Sequence, residues 1–218
     1  MKRVRVPLIP IAIFFLALGI RVLYNLTVAK GYAPRFDAGE YQLFGLNLAS
    51  THHYTLHMMK LSDDAIAKRA PLWPFIIGAI ALIFGPANFF PRLFYCFLGS
   101  GSCLLVYCFA RDLFGRRIGL LAGSMAALYA GMFIYDGWLY SESLYTFMQL
   151  AFAYTLLRYQ RTKRLLWAIL SGLFIALASL TRPNGVSLLA LVVVWALVML
   201  WQQRLSLKKA VQAALIII

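Results

Sequence analysis

Carboxylates are scarce in this chain. Its 218 residues include seven Asp and Glu against 21 Lys and Arg, and charged residues of both signs make up only 13%. A soluble domain of ordinary composition carries roughly 25%, and surface-to-volume scaling limits how much apolar surface a fold of this size can hide from water. The shortage therefore excludes a water-facing globular protein. Cysteine is equally sparse. Cys96, Cys103 and Cys108 all lie on one apolar segment, without metal-ligand spacing and without a way for all to pair, so they read as small lipid-compatible side chains. What is abundant is apolar: 62% of the residues are hydrophobic, and mean hydropathy is +0.77. The net charge of +14 raises the question of nucleic acid. However, the basic residues fall in short clusters between apolar runs, a pattern of membrane topology that gives no nucleic-acid surface.

Apolar stretches run at 7–28, 72–90, 91–110, 117–135, 143–157, 165–180, 186–203 and from 210 onward. A span needs roughly 20 such residues. The first follows Met-Lys-Arg-Val-Arg and has no clean small-x-small cleavage site, so it reads as a retained signal anchor. The stretch 72–90 is the ambiguous one, interrupted by Pro74, Gly85 and Pro86 and bounded by Pro71 and Pro91. Charge sorting decides it. If 72–90 crosses, the basic loops at 111–117 and 158–164 fall on the side opposite Lys2, Arg3 and Arg5. If it lies along the outer surface, 13 basic residues in four clusters share the cytoplasmic side, the fourth being Arg204, Lys208 and Lys209. Six acids (Asp37, Glu40, Asp63, Asp64, Asp136 and Glu142) then face outward. The positive-inside rule favours this second arrangement.

The expected fold is therefore all-α: a polytopic transmembrane helical bundle forming one membrane domain over 1–218, with the N-terminus cytoplasmic. A first extracytoplasmic loop at 29–90 would contain juxtamembrane helices, including a Pro-bounded interfacial one at 72–85. Tyr32, Tyr41, Tyr54 and Trp73 would sit at the interfacial level. The chain stops in Ala-Ala-Leu-Ile-Ile-Ile, partway into a seventh span, as expected for the N-terminal part of a longer module.

Ionisable groups at membrane depth default to a functional reading. On the outer side these are Asp37 and Glu40 in Arg-Phe-Asp-Ala-Gly-Glu-Tyr, Arg69 in Arg-Ala-Pro-Leu-Trp-Pro, Asp136 and Glu142 around one outward turn, and Arg182 in Thr-Arg-Pro-Asn-Gly. Blander roles compete at each place. Asp37 and Glu40 could be solvated acids, Glu142 a helix-start acid favoured by the dipole, and Arg69 and Arg182 snorkelling anchors. Arg21 within the first span is either a functional charge or an interhelical or snorkelling one. His53 and His57 would share a helix face near Asp63 and Asp64, but loop histidines touching solvent or substrate fit better than a metal site. Gly99-Ser100-Gly101-Ser102 reads as small-residue helix packing. Asn25-Leu26-Thr27 matches a glycosylation sequon at the end of a span, where it is a chance occurrence.

In order and spacing these motifs resemble the N-terminal half of a GT-C superfamily glycosyltransferase, nearest the bacterial relatives of dolichyl-phosphate-mannose protein mannosyltransferases (glycosyltransferase family 39 and the RgtA/B/C/D-like domain). The resemblance runs from about 5 to 200. It is carried by Asp37-x-x-x-Tyr41, by Arg69-x-Pro71-Leu72-x-Pro74 before a helix ending in Phe84-Gly85, and by Arg92-Leu93 opening a span that closes on Ala110-Arg111-x-Leu113-Phe114-Gly115-Arg116-Arg117. Ser141-Glu142 and Leu180-Thr181-Arg182-Pro183-Asn184-Gly185 complete it.

The resemblance implies an inverting transfer of a hexose or pentose from a polyprenyl-phosphate carrier to a glycan, lipid or protein acceptor on the extracytoplasmic face of a bacterial inner membrane. Asp37 and Glu142 would be catalytic, with Asp37 as the base. Arg69 and Arg182 would bind phosphate, and Glu40 and Tyr41 would help bind substrate. No cofactor is required, although the reading accommodates a divalent cation; no metal-binding residue is assigned. Many members place a second acid directly after the aspartate, whereas here Ala38 follows Asp37 and the next acid is Glu40. The alternatives are an inactive or assembly-type membrane subunit, or a transporter. A transporter should show internal repeats and midplane polar residues, and neither is evident.

Overall fold

The computed structural model describes residues 8–54, 69–202, 212 and 214–217. Among them all regular structure is helical: α1 (Leu8–Thr27), α2 (Asp37–Thr51), α3 (Leu72–Phe84), α4 (Phe89–Phe114), α5 (Arg116–Leu128), α6 (Ala130–Trp138), α7 (Glu142–Thr162), α8 (Leu165–Thr181) and α9 (Leu188–Trp201), with a short 3₁₀ turn at Pro183–Ser187. Lys2, Arg3, Arg5, His57, Asp63, Asp64, Arg204, Lys208 and Lys209 lie outside the described residues.

At about 1.5 Å per residue, the 26 residues of α4 reach about 39 Å, more than the roughly 30 Å of a bilayer core. Helix α4 is the spine: α1, α5, α6 and α7 all pack on it, and α7 pairs in turn with α8. Among the described residues three helical stretches (α1, α4 and Pro183–Trp201) are long and apolar enough to cross a membrane, or four if α5 and α6 count together. The expected span at 117–135 is in fact this pair, bent by 42°. The break falls at Tyr129, which adopts an extended conformation at φ −74° and ψ 111°. The expected spans over α7 and α8 meet that criterion less well. Helix α7 is 21 residues long but includes Gln149, Arg158, Gln160 and Arg161, and α8 has only 17 residues.

The bundle has two chemically different ends. At one, Asp112 accepts hydrogen bonds from Arg111 and Arg158 through its carboxylate and from Arg161 through its backbone carbonyl. Arg116 and Arg117, which open α5, and Arg164, which precedes α8, lie exposed at this basic end. At the other end α2 and α3 pack on each other, and α3 touches α4 and α8. Their close approach depends on Gly45 and Gly78. A Cβ on Gly45 would sit 2.8 Å from the Pro74 carbonyl oxygen and from Ile77 Cβ. Gly45→Ala is therefore expected to cost about 1–3 kcal/mol, the usual penalty for overpacking, read as a lowered thermal midpoint in detergent.

Two of the aromatic residues expected at the interface, Trp73 and Tyr41, pack inside the protein. Trp73 is fully buried, stacks on Tyr95 at 4.1 Å between ring centroids, and donates its indole N–H to the Leu139 carbonyl at 2.9 Å. Tyr41 is also buried. The Trp73 bond ties α3 to the turn between α6 and α7, where Leu139 adopts a left-handed φ of 59°.

Candidate active site

Helix α2 opens on Asp37 and carries Glu40 in its first turn, where carboxylates are favoured by the helix dipole. The preceding Phe36 has φ 51° and ψ −129°, a conformation that costs a residue with a Cβ of order 1–3 kcal/mol. Strain is thus stored directly beside the Asp37 carboxylate. Arg69 arrives from the segment before α3 and forks onto Asp37, with Nη2 donating to Oδ1 at 2.5 Å and Nη1 to Oδ2 at 3.2 Å. Its Nε donates to Glu40 Oε2 at 2.6 Å. The guanidinium lies 5.7 Å from the centre of the Tyr41 ring. Tyr54 donates its hydroxyl to the Arg69 carbonyl at 3.0 Å and stacks between Phe44 and Phe75, which fixes the backbone that presents Arg69.

A second ion pair stands across from the first. Glu142 begins α7 and pairs with Arg182, the residue that ends α8. The two pairs meet through side chains next to them in sequence, because Ser141 donates its hydroxyl to the Tyr41 hydroxyl at 3.2 Å. Asp37 also contributes to the field at Arg182. Burial alone would lower the pKa of both arginines. The hydrogen bond and charge of Glu40, with the Asp37 charge, outweigh it and raise Arg69, while Glu142 does the same for Arg182. Both side chains thus stay cationic in a partly desolvated place, which suits anion recognition. Asp37 is the most open of the charged side chains in this cluster, at 44% exposed. A carboxylate that must receive an incoming hydroxyl needs such access.

All six residues singled out in the sequence (Asp37, Glu40, Tyr41, Arg69, Glu142 and Arg182) therefore stand at the same end of the bundle, drawn from four segments. Asp136 does not join them. The expectation that it faces outward is corrected by its complete burial, where it pairs with Arg21 Nε at 3.0 Å and accepts the Ser143 hydroxyl at 2.6 Å. Arg21 is accordingly an interhelical charge, further held by the Ala17 carbonyl and Cys103 Sγ. Gly99 leaves room for the pair, since a Cβ there would lie 2.8 Å from Asp136 Oδ2. Beside the pair, a chamber of about 170 Å³ is lined by Asp136, Glu142, Ser143 and Tyr135 among others.

Sequence reasoning did not find the Tyr41–Ser141 bridge, and no linear signal marks it. The Arg21–Asp136 pair had one: each is an isolated charge inside an apolar run, and such charges need partners. Among the described residues no group of three or more His, Cys, Asp or Glu could hold a metal ion.

The family described as dolichyl-phosphate-mannose-protein mannosyltransferase matches residues 68–218. The match contains Arg69, Glu142 and Arg182 and begins after Asp37, Glu40 and Tyr41. Comparison with curated proteins finds no match.

Proposed function

The chain belongs to the dolichyl-phosphate-mannose-protein mannosyltransferase family, and from that membership we propose that its acid–arginine cluster transfers a sugar from a polyprenyl-phosphate carrier to an acceptor hydroxyl on the extracytoplasmic side. What supports the reading is the convergence of two carboxylate–arginine sets on one another across the Tyr41–Ser141 contact of 3.2 Å. Phosphate and carboxylate are both bound by a planar fork of N–H donors. The Arg69 fork that now holds Asp37 has the geometry a donor phosphate would use. Arg182 supplies a second cation.

In this scheme phosphate takes over the arginine donors, and Asp37, relieved of its partner, accepts the proton of the attacking hydroxyl. The bond from the anomeric carbon to the acceptor oxygen forms as the bond to the phosphate oxygen breaks. The electron pair leaves with polyprenyl phosphate, and attack from the opposite face inverts the anomeric centre. The leaving group is already a stable anion, so it needs cations rather than a strong acid. Glu40 and Glu142 orient the arginines. Glu142 contributes to catalysis by holding Arg182 on the phosphate, while Tyr41 floors the site beneath Arg69.

Reconstituted chain supplied with dolichyl- or undecaprenyl-phosphate-mannose should release polyprenyl phosphate only when an acceptor is present, and NMR of the product should show inversion. Arg182→Gln removes a charged hydrogen bond worth about 1.5–3 kcal/mol, so the donor KM is expected to rise roughly 10- to 100-fold. An unchanged donor KM would remove Arg182 from phosphate binding. Retention of configuration would overturn single displacement.

A further inference from the structure

A cleft of about 740 Å³ opens between the end of α1 and the start of α4. Its walls are apolar, with Val22, Leu26, Phe89 and Leu93 among them, and among the described residues Lys30 and Arg92 are its only ionised lining side chains. Arg92 is the informative one. It is 7% exposed, and its Nε and Nη2 donate to the Gly137 and Tyr32 carbonyls at 3.0 and 2.5 Å. Among the described residues no carboxylate pairs with it. A buried cation neutralised only by carbonyl dipoles is an expensive arrangement, unlike Arg21, which has Asp136. An anion in the cleft would complete it.

We propose that this cleft binds an anionic bilayer phospholipid, its phosphate between Arg92 and Lys30 and a chain along Val22, Leu26 and Leu93. The apolar walls select a lipid over free phosphate, and the exposed Leu23, Leu26 and Phe89 beside it give lateral access from the bilayer. The occupant is not the sugar donor. Tyr32 stacks on Trp138 at 5.8 Å, Trp138 lies 6.3 Å from Tyr140, and Tyr140 is the ring that faces the charges of Asp37 and Glu142. None of Asp37, Glu40, Arg69, Glu142 and Arg182 lines this cleft, so a phosphate at Arg92 stands apart from the acid–arginine cluster. The site does not depend on the transferase reading, because its test measures lipid occupancy and no transfer.

Wild-type chain in phosphatidylcholine nanodiscs is titrated with phosphatidylglycerol, and retained lipid is counted by native mass spectrometry. Phosphatidylglycerol should be held at least fivefold better than phosphatidylcholine, and millimolar inorganic phosphate should not displace it. Lys30→Gln should lower retention roughly fivefold, the effect of one basic residue on an anionic headgroup. Leu93→Trp, which fills the cleft without touching a charge, should lower it further while the thermal midpoint holds. Equal retention of the two phospholipids, or unaltered retention in both variants, overturns the assignment. So does displacement of phosphatidylglycerol by stoichiometric undecaprenyl phosphate.

Discussion

Asp37→Asn is expected to slow sugar transfer by roughly 10²- to 10⁴-fold, the usual contribution of a positioned general base, while the protein still inserts into membranes and unfolds at nearly the same temperature. Asparagine matches aspartate in shape and keeps an oxygen for Arg69. Arg69 also retains its 2.6 Å bond to Glu40, so the segment before α3 stays tied to α2. What disappears is a proton acceptor at the most open of the cluster's carboxylates. The split between kinetic constants is diagnostic. Removing a negative charge beside Arg69 makes that arginine a better host for phosphate, so the donor KM should stay level or fall while kcat collapses. Glu40→Gln acts on the same arginine without removing the base, and its effect should be at least tenfold smaller. Initial rates with labelled donor, measured for both variants at matched membrane content, settle the comparison. Equal losses in the two would reassign the effect to Arg69 placement.

Breaking the buried Arg21–Asp136 pair should damage the fold more than any substitution in the acid–arginine cluster. Both side chains are fully buried and 3.0 Å apart, with α1, α4, α6 and α7 all contributing partners. Arg21→Leu or Asp136→Leu leaves one uncompensated charge in a low-dielectric interior, at a cost of about 3–5 kcal/mol. Replacing both with apolar residues should recover most of that loss, since a buried pair returns little beyond its own desolvation. The chain carries its own reporters, because Cys96 and Cys103 are buried in the same region. Their reaction with a thiol-specific fluorophore during heating gives the unfolding midpoint. Singles as stable as the wild type would show that the site admits water. A double variant no better than the singles would show that packing, rather than charge, holds the four helices together.

The likeness to a transferase family was carried by local motifs such as Arg69-x-Pro71-Leu72-x-Pro74 and Ser141-Glu142, and the family match covers that region. Five of the six candidate site residues were legible because charges are rare in this chain, and each one in or beside an apolar stretch stands out; Tyr41 was legible only through its place in Asp37-x-x-x-Tyr41. Their partnerships were not. Nothing in the order of residues says that Arg69 takes Asp37 and Glu40 while Arg182 takes Glu142. Asp136 lies six residues before Glu142 and looked like its equal. It differs because it is still inside α6, whose last turn faces α1, whereas Glu142 opens α7 after the left-handed turn at Leu139. The partner of Trp73 was hidden for a similar reason. An aromatic next to prolines suits an interface, but the indole finds its acceptor at Leu139, 66 residues away.

Composition and hydropathy alone determined that this is a helical membrane protein, because hydropathy is summed along the chain and needs no knowledge of neighbours. The rotation of each helix about its axis, the bend at Tyr129, and the choice of which carboxylate meets which arginine belong to tertiary structure. They depend on how small residues such as Gly45 and Gly99 let helices approach, and contact across a bundle leaves no trace in linear spacing.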